Sequence, residues 1–290
     1  MLRDGQEDDN GAVLVSATFD MLAPPTPHYW RLMLTNERRN RIADPDLIWR
    51  TQEGLLVPSF RDITADWMSL VCFDFGFSQI TLFHAVQLMD KYLTLVRVPR
   101  ESLQLVALAA TWIACKFNET TTSSRFCTSA DLLRTCLNTF SLEALVDKER
   151  HILQTLHFDV LLYNPRHFLD VYLFDLVHKG LLRLDDVAQL QLLTSFFLEI
   201  TLYTTSFLQF TCVSRAYAAL SVALTLTAPS LIPNLPGLRH EKVLLCRSRI
   251  ENLWQTISAN FRRNPARRPS LFTKFDCRFN PLDALFYPLL

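Results

Sequence analysis

The chain has 290 residues, with 29 Lys plus Arg against 29 Asp plus Glu, so its formal net charge is zero. That balance gives no long-range pull towards nucleic acid or an anionic membrane, and little self-repulsion to disfavour a permanent partner. Hydrophobic residues, at 49%, suffice for substantial cores, whereas 6 glycines are too few for the tight turns of a doubly wound sheet.

Residues 1–27 read as a flexible tail that is acidic and polar at its start, has no secretory leader, and closes on "APPTP". Residues 28–57 hold a helix, "HYWRLMLTNERR", with Tyr29, Leu32 and Met33 on one side, and then a connector. Residues 58–163 repeat one theme. "FRDITADWMSLVCFDF" sets Phe60, Ile63, Trp67 and Val71 at helical spacing. Ser78 caps the next helix, whose buried stripe is Leu82, Ala85, Val86, Met89 and Leu93. "PRESLQLVALAATWIACKF" is apolar on nearly all sides and kept slim by Ala107, Ala109, Ala110 and Ala114, as expected of the central element of a bundle. Thr128 and Asp131 form a capping box for a short fourth helix, and Leu145, Ile152 and Leu156 turn inward on a fifth.

Asn164 and Pro165 mark a boundary, as helix cap and first helical residue. From there, over 164–260, the five-helix pattern runs again, with Ala216, Ala218, Ala219 and Ala223 slimming its central helix. Pro233, Pro236 and Gly237 interrupt it. Residues 261–290 read as a solvated basic extension that straps Phe272, Phe275 and Phe279 onto the domain. The fold class expected is all-α: two tandem five-helix repeats with an N-terminal helix.

The 7 cysteines make no C-x-x-C pair and read as reduced, mostly buried thiols. No apolar run is long enough for a membrane span. No nucleophile elbow, dinucleotide fingerprint, Walker loop or H-E-x-x-H occurs, so no catalytic residue, metal or cofactor is expected. On spacing alone, Arg61 and Asp90 suit a buried pair bracing two helices. Lys116 is a helix-end cation and Glu149 an ordinary exposed acid.

Four of these strings resemble, in order, the cyclin box of A- and B-type cyclins. "FRDITADW" is similar to M-R-A-I-L-V-D-W, and "LMDKYL" to the segment written ID-R-F-L. "LQLVALAATWIACKFNE" is similar to the third-helix stretch ending ASKFEE, and "DKERHILQTLHFDV" to the end of the first box. The family's five most typical positions fall on Arg61, Asp90, Leu105, Lys116 and Glu149, all of the expected type. Weaker likeness extends over roughly 28–280: "HYWRLMLTNERR" to the helix before the box, "NPRHFLDVYL" to the second box.

The resemblance implies a non-enzymatic regulatory subunit, acting in the cell cycle and mitosis in nucleus and cytoplasm. Its partner would be a cyclin-dependent protein kinase, bound 1:1. Lys116 and Glu149 would grip the kinase's αC helix and the loop before it. Phe117, Ile113, Phe158 and Val160 would add apolar surface, and Tyr29 and Leu32 a contact from the N-terminal helix. The family's docking groove for kinase substrates or inhibitors maps to Phe60, Thr64, Trp67, Leu70, Leu103 and Gln104. Here Phe60, Thr64 and Leu70 replace the usual Met, Leu and Glu, so ordinary Arg-x-Leu docking is not expected. Asn118 stands where the first Glu of FEE is usual. A second reading keeps the fold and changes the task, to a transcription-associated cyclin or an adaptor without kinase activation.

Overall fold

The computed structural model describes residues 26–42, 44–119, 127–263, 271, 274 and 275. Most of the N-terminal tail, Phe272, Phe279 and Cys277 lie outside the described residues. Every element of regular structure among those described is helical.

Local sequence chemistry sets the helix starts. In α1 (Pro27–Asn40), proline occupies the first position and Thr26 Oγ1 accepts from Tyr29 N at 3.1 Å. A short α2 (Asp46–Gln52) follows, then α3 (Pro58–Asp74) and α4 (Gln79–Leu95), the last capped by Ser78. A single 3-10 turn at Arg100–Ser102 leads into α5 (Leu103–Asn118). Thr128 and Asp131 bond reciprocally at the head of α6 (Ser129–Thr135), at 3.2 and 3.0 Å. Ser141 caps α7 (Leu142–Thr155). The second half comprises α8 (Pro165–His178), α9 (Leu184–Ile200), α10 (Cys212–Thr227) and α11 (Glu241–Arg263).

Each half is built around its slim helix. The four alanines named in α5, and the four in α10, are fully buried. Without bulk at these positions, α4, α3 and α7 close onto α5, and α9, α11 and α8 close onto α10. The second half does not reproduce five α-helices. Between α10 and α11 the described residues form two 3-10 turns, Pro229–Asn234 and Pro236–Arg239. Prolines withhold the amide hydrogens that an α-helix needs there. Gly237 lies so close to Tyr217 that an added Cβ would sit 2.9 Å from its ring.

Two apolar stripes differ from expectation. Met33 is buried, but Tyr29 and Leu32 point outward, so the three do not share a face in function. Ile63 is 67% exposed although it keeps the spacing of the α3 stripe, because α4 and α5 cover α3 from one side only. The Arg61–Asp90 pair reaches further than a brace between α3 and α4. Arg61 Nε and Nη2 meet the two Asp90 carboxylate oxygens at 2.9 and 2.7 Å, and Nη1 donates to the Leu202 carbonyl in the second half.

The C-terminal segment is also not simply solvated. Phe275 packs edge-on to Phe196 at 5.3 Å, as a strap would, but Lys274 is buried beside it. Its ammonium donates to both oxygens of the fully buried Glu199 at 2.8 and 2.9 Å. Ser69, Gln79 and Tyr203 donate to the same carboxylate. Burial alone would raise the Glu199 pKa, but Lys274 and these donors outweigh it and bring it below the ordinary value.

Candidate functional site

Lys116 stands in the last turn of α5, where the helix dipole favours a cation. Its Nζ lies 4.9 Å from the centroid of the Trp112 ring, one turn back, and donates to Glu149 Oε1 on α7. The two differ in cover: the Lys116 side chain is 44% exposed, the Glu149 side chain 14%. The expectation that Glu149 is an ordinary exposed acid is therefore corrected. The packing of α7 on α5 half-covers it, and the neighbouring charges turn elsewhere, Arg150 to Asp147 at 3.0 Å and Lys148 towards the Tyr92 ring.

Phe117, next to Lys116 in the chain, and Phe158, just beyond the end of α7, are exposed. Phe158 is held out by its backbone. After α7 ends, His157 and Phe158 both adopt left-handed conformations, φ 52° and 57°. Such conformations cost a non-glycine residue about 1–2 kcal/mol. The turn is fixed from behind: His84 Nε2 donates to the Val160 carbonyl at 2.8 Å, while its Nδ1 accepts from Asn118 Nδ2 at 2.9 Å. The His84 ring meets the edge of Phe117 at 5.2 Å. Burial pushes the His84 pKa down to about 4, so the ring is neutral near neutral pH. Asn118, the departure from the family's glutamate, thus has a structural task in this chain. Val160 is half-buried in the same turn. Ile113 is corrected: at 4% exposed it belongs to the core, one turn in from the end of α5 where Phe117 stays exposed.

The same turn anchors α1. Asn36 Nδ2 donates to the Leu161 carbonyl at 2.8 Å, Asn36 Oδ1 accepts from Tyr163 N at 3.2 Å, and Arg39 pairs with Asp159 at 3.0 Å. Glu37, buried on α1, accepts from the Cys212 amide at the head of α10. Burial raises its pKa against that hydrogen bond and the charge of Arg215. Tyr29 and Leu32 remain outward on α1, with the Tyr29 ring edge-on to Tyr163 at 6.1 Å. These links join the segment that follows Phe158 and Val160 to the helix that carries Tyr29 and Leu32.

The expected docking patch lies where α3 meets the start of α5. Phe60, Thr64, Trp67, Leu70 and Gln104 are half-buried, as is Leu105. Leu103 is buried and adds no surface, because the 3-10 turn before α5 swings it into the core. The Arg100 guanidinium sits 4.2 Å over the Phe60 ring, and Thr64 Oγ1 bonds back to the Phe60 carbonyl at 2.7 Å. A cation therefore sits at the Phe60 end of the patch, and the position of the family's acid is taken by Leu70.

Sequence reading missed Glu37, Asn36, Glu199 and Lys274. Their partners lie 75 to 175 residues away, and no local spacing encodes them. Among the described residues no group of three or more His, Cys, Asp or Glu side chains is placed to hold a metal ion. Among the same residues no helix is long and apolar enough to cross a membrane.

The family description "Cyclin, N-terminal domain" matches residues 28–161, the span that carries α1, the five helices around α5 and the Phe158 turn. Residues 28–161 are therefore a cyclin N-terminal domain. A B1-type cyclin of rice (Oryza sativa subsp. japonica), named Cyclin-B1-5, is 35% identical over 96 residues, 33% of this chain and 20% of that protein. The G2/mitotic-specific cyclin-B of Emericella nidulans is 36% identical over 111 residues, 38% of this chain and 20% of that protein. The aligned part thus spans about a fifth of these relatives. In fold, this chain is similar to a viral cyclin from herpesvirus saimiri, with TM-score 0.57 and 16% identity over 83% of this chain and 97% of that one.

Proposed function

We propose that this cyclin binds a cyclin-dependent serine/threonine protein kinase as an equimolar heterodimer and activates it, controlling cell-cycle progression. The observation that carries this reading is the Lys116–Glu149 pair, with its lysine exposed and its glutamate half-covered, together with the exposed Phe117 and Phe158. Lys116 is open to solvent, which screens the pair, so its ammonium is cheaply redirected to a partner. Lys116 would donate to kinase carbonyls and Glu149 accept from kinase amides, with Phe117, Phe158, Val160, Tyr29 and Leu32 supplying apolar contact.

Activation is a population shift. A kinase of this class needs its αC glutamate paired with the catalytic lysine, and in the free state αC is swung out. A subunit that binds the inward state more tightly moves the equilibrium by the difference in affinity. It also helps order the activation loop. The cyclin supplies no catalytic atom; ATP and magnesium belong to the kinase.

We also read residues 58–163 as the first cyclin box and 164–260 as a second, with the two 3-10 turns replacing one helix of its five. The Phe60–Trp67 patch would receive substrates or inhibitors of apolar character rather than Arg-x-Leu segments, since Leu70 and Arg100 offer a cationic motif no acid. Residence in nucleus and cytoplasm accompanies this reading.

The test is a charge swap, Lys116→Glu with Glu149→Lys. It keeps a mutual ion pair and hence the fold, but presents each charge to the wrong partner. Pull-down from native cells should recover an equimolar kinase with the wild-type chain and none with the swap, at unchanged helical content. Undiminished binding and activation by the swap would refute this interface.

A further inference from the structure

A cavity of about 50 Å³ lies where α1, α4 and the head of α10 converge, inside the junction of the two halves. By this measure one water takes roughly 10–15 Å³, so the space suits three or four waters or one small polyatomic ion. Half-buried Asn40, Lys91 and Gln87 and buried Arg61, Glu37 and Arg215 are among the residues that line it.

Three buried polar atoms of this lining have no protein partner: Asn40 Nδ2, Gln87 Oε1 and Arg215 Nε. Leaving such atoms bare is costly, about 1–3 kcal/mol each and more for a charged group. Two of these three atoms are donors, one of them cationic, and Gln87 Oε1 is an acceptor. Asp90 saturates Arg61, and the Glu37 carboxylate is taken up by the amides at the head of α10. Arg215, only 8% exposed, has its Nη2 at 3.6 Å from the Cys212 sulfur, a weak acceptor. Lys91 spends one of its three hydrogens on Asn40 Oδ1, at 2.6 Å.

We propose that this cavity binds a small oxyanion, of the phosphate, sulfate or short-carboxylate class, between Arg215, Lys91 and Asn40. Oxygen acceptors would satisfy Arg215 Nε, Asn40 Nδ2 and the spare Lys91 hydrogens together, with charge-assisted bonds. Rotation of the Gln87 amide, which exchanges its oxygen and nitrogen, turns a further donor inward and points its oxygen at the Cys212 thiol. The bound ion would fasten α1, through Asn40, to α4 and α10. This does not rest on kinase binding.

The experiment follows the melting temperature of the full chain in sodium phosphate or sodium chloride at matched ionic strength. Gln87→Glu, an isosteric change that places an acid in the wall, and Arg215→Gln are compared with wild type. Wild type should gain a rise that grows with the logarithm of phosphate concentration and reaches roughly 2–4 °C at about ten times Kd. Gln87→Glu, and Arg215→Gln if it folds, should lose that rise. An equal response to chloride, or a phosphate response retained by folded Gln87→Glu, overturns the proposal and leaves the cavity to water.

Discussion

Asp90→Ala tests the buried ion pair. The substitution removes both acceptors of Arg61 Nε and Nη2, leaving the buried guanidinium with the Leu202 carbonyl and Asp62 at 3.4 Å. Removing one partner of a buried pair costs about 3–5 kcal/mol. Asp62 is near enough to recover part of this, so the expected loss is about 3 kcal/mol, or roughly 6–12 °C in Tm. The double variant Arg61→Met/Asp90→Leu removes both charges and strands only the Leu202 carbonyl, a penalty of about 1–3 kcal/mol. It should therefore be no less stable than Asp90→Ala, and most often more so. Urea unfolding followed by far-UV circular dichroism measures both. A double variant clearly less stable than Asp90→Ala would show that the pair contributes net attraction beyond its desolvation penalty, and the reasoning would fail.

Two further outcomes concern the Phe158 turn. Because burial holds the folded-state pKa of His84 at about 4, below its ordinary 6.5, the unfolded chain binds a proton in that window that the folded chain does not. The stabilisation is complete above pH 6.5 and falls with pH towards 4 by about 1.4 kcal/mol per unit; His84→Gln should flatten a Tm-versus-pH profile by that one proton. Phe158→Gly relieves a left-handed residue at φ 57°, with a glycine entropy penalty of similar size, so Tm should stay level or rise. Kinase recovery in pull-down should nevertheless weaken, and a variant that loses Tm sharply would mean that Phe158 is needed for the fold.

Much of the architecture was legible in local sequence. Thr128 with Asp131, and Asn164 with Pro165, marked helix starts that the structure shows bond for bond. The alanine-rich third helix of each half foretold its central place, because only small side chains let neighbours approach on all sides. Ile63 shows the limit of such reading: periodicity reports that a face is apolar, not whether another helix comes to cover it.

The sequence by itself determined the helices, their caps, the apolar faces and the ordered strings that resemble the cyclin box. These depend on neighbours within one or two turns. Tertiary structure alone decided which polar groups meet. It set Lys116 on Glu149 across 33 residues, drew Ile113 into the core, carried Arg61 to Leu202 and buried Lys274 against Glu199. It also gathered Asn40, Gln87 and Arg215 around one cavity. Such meetings follow from the angles at which helices pack, and a helix presents the same local pattern whichever neighbour it turns towards.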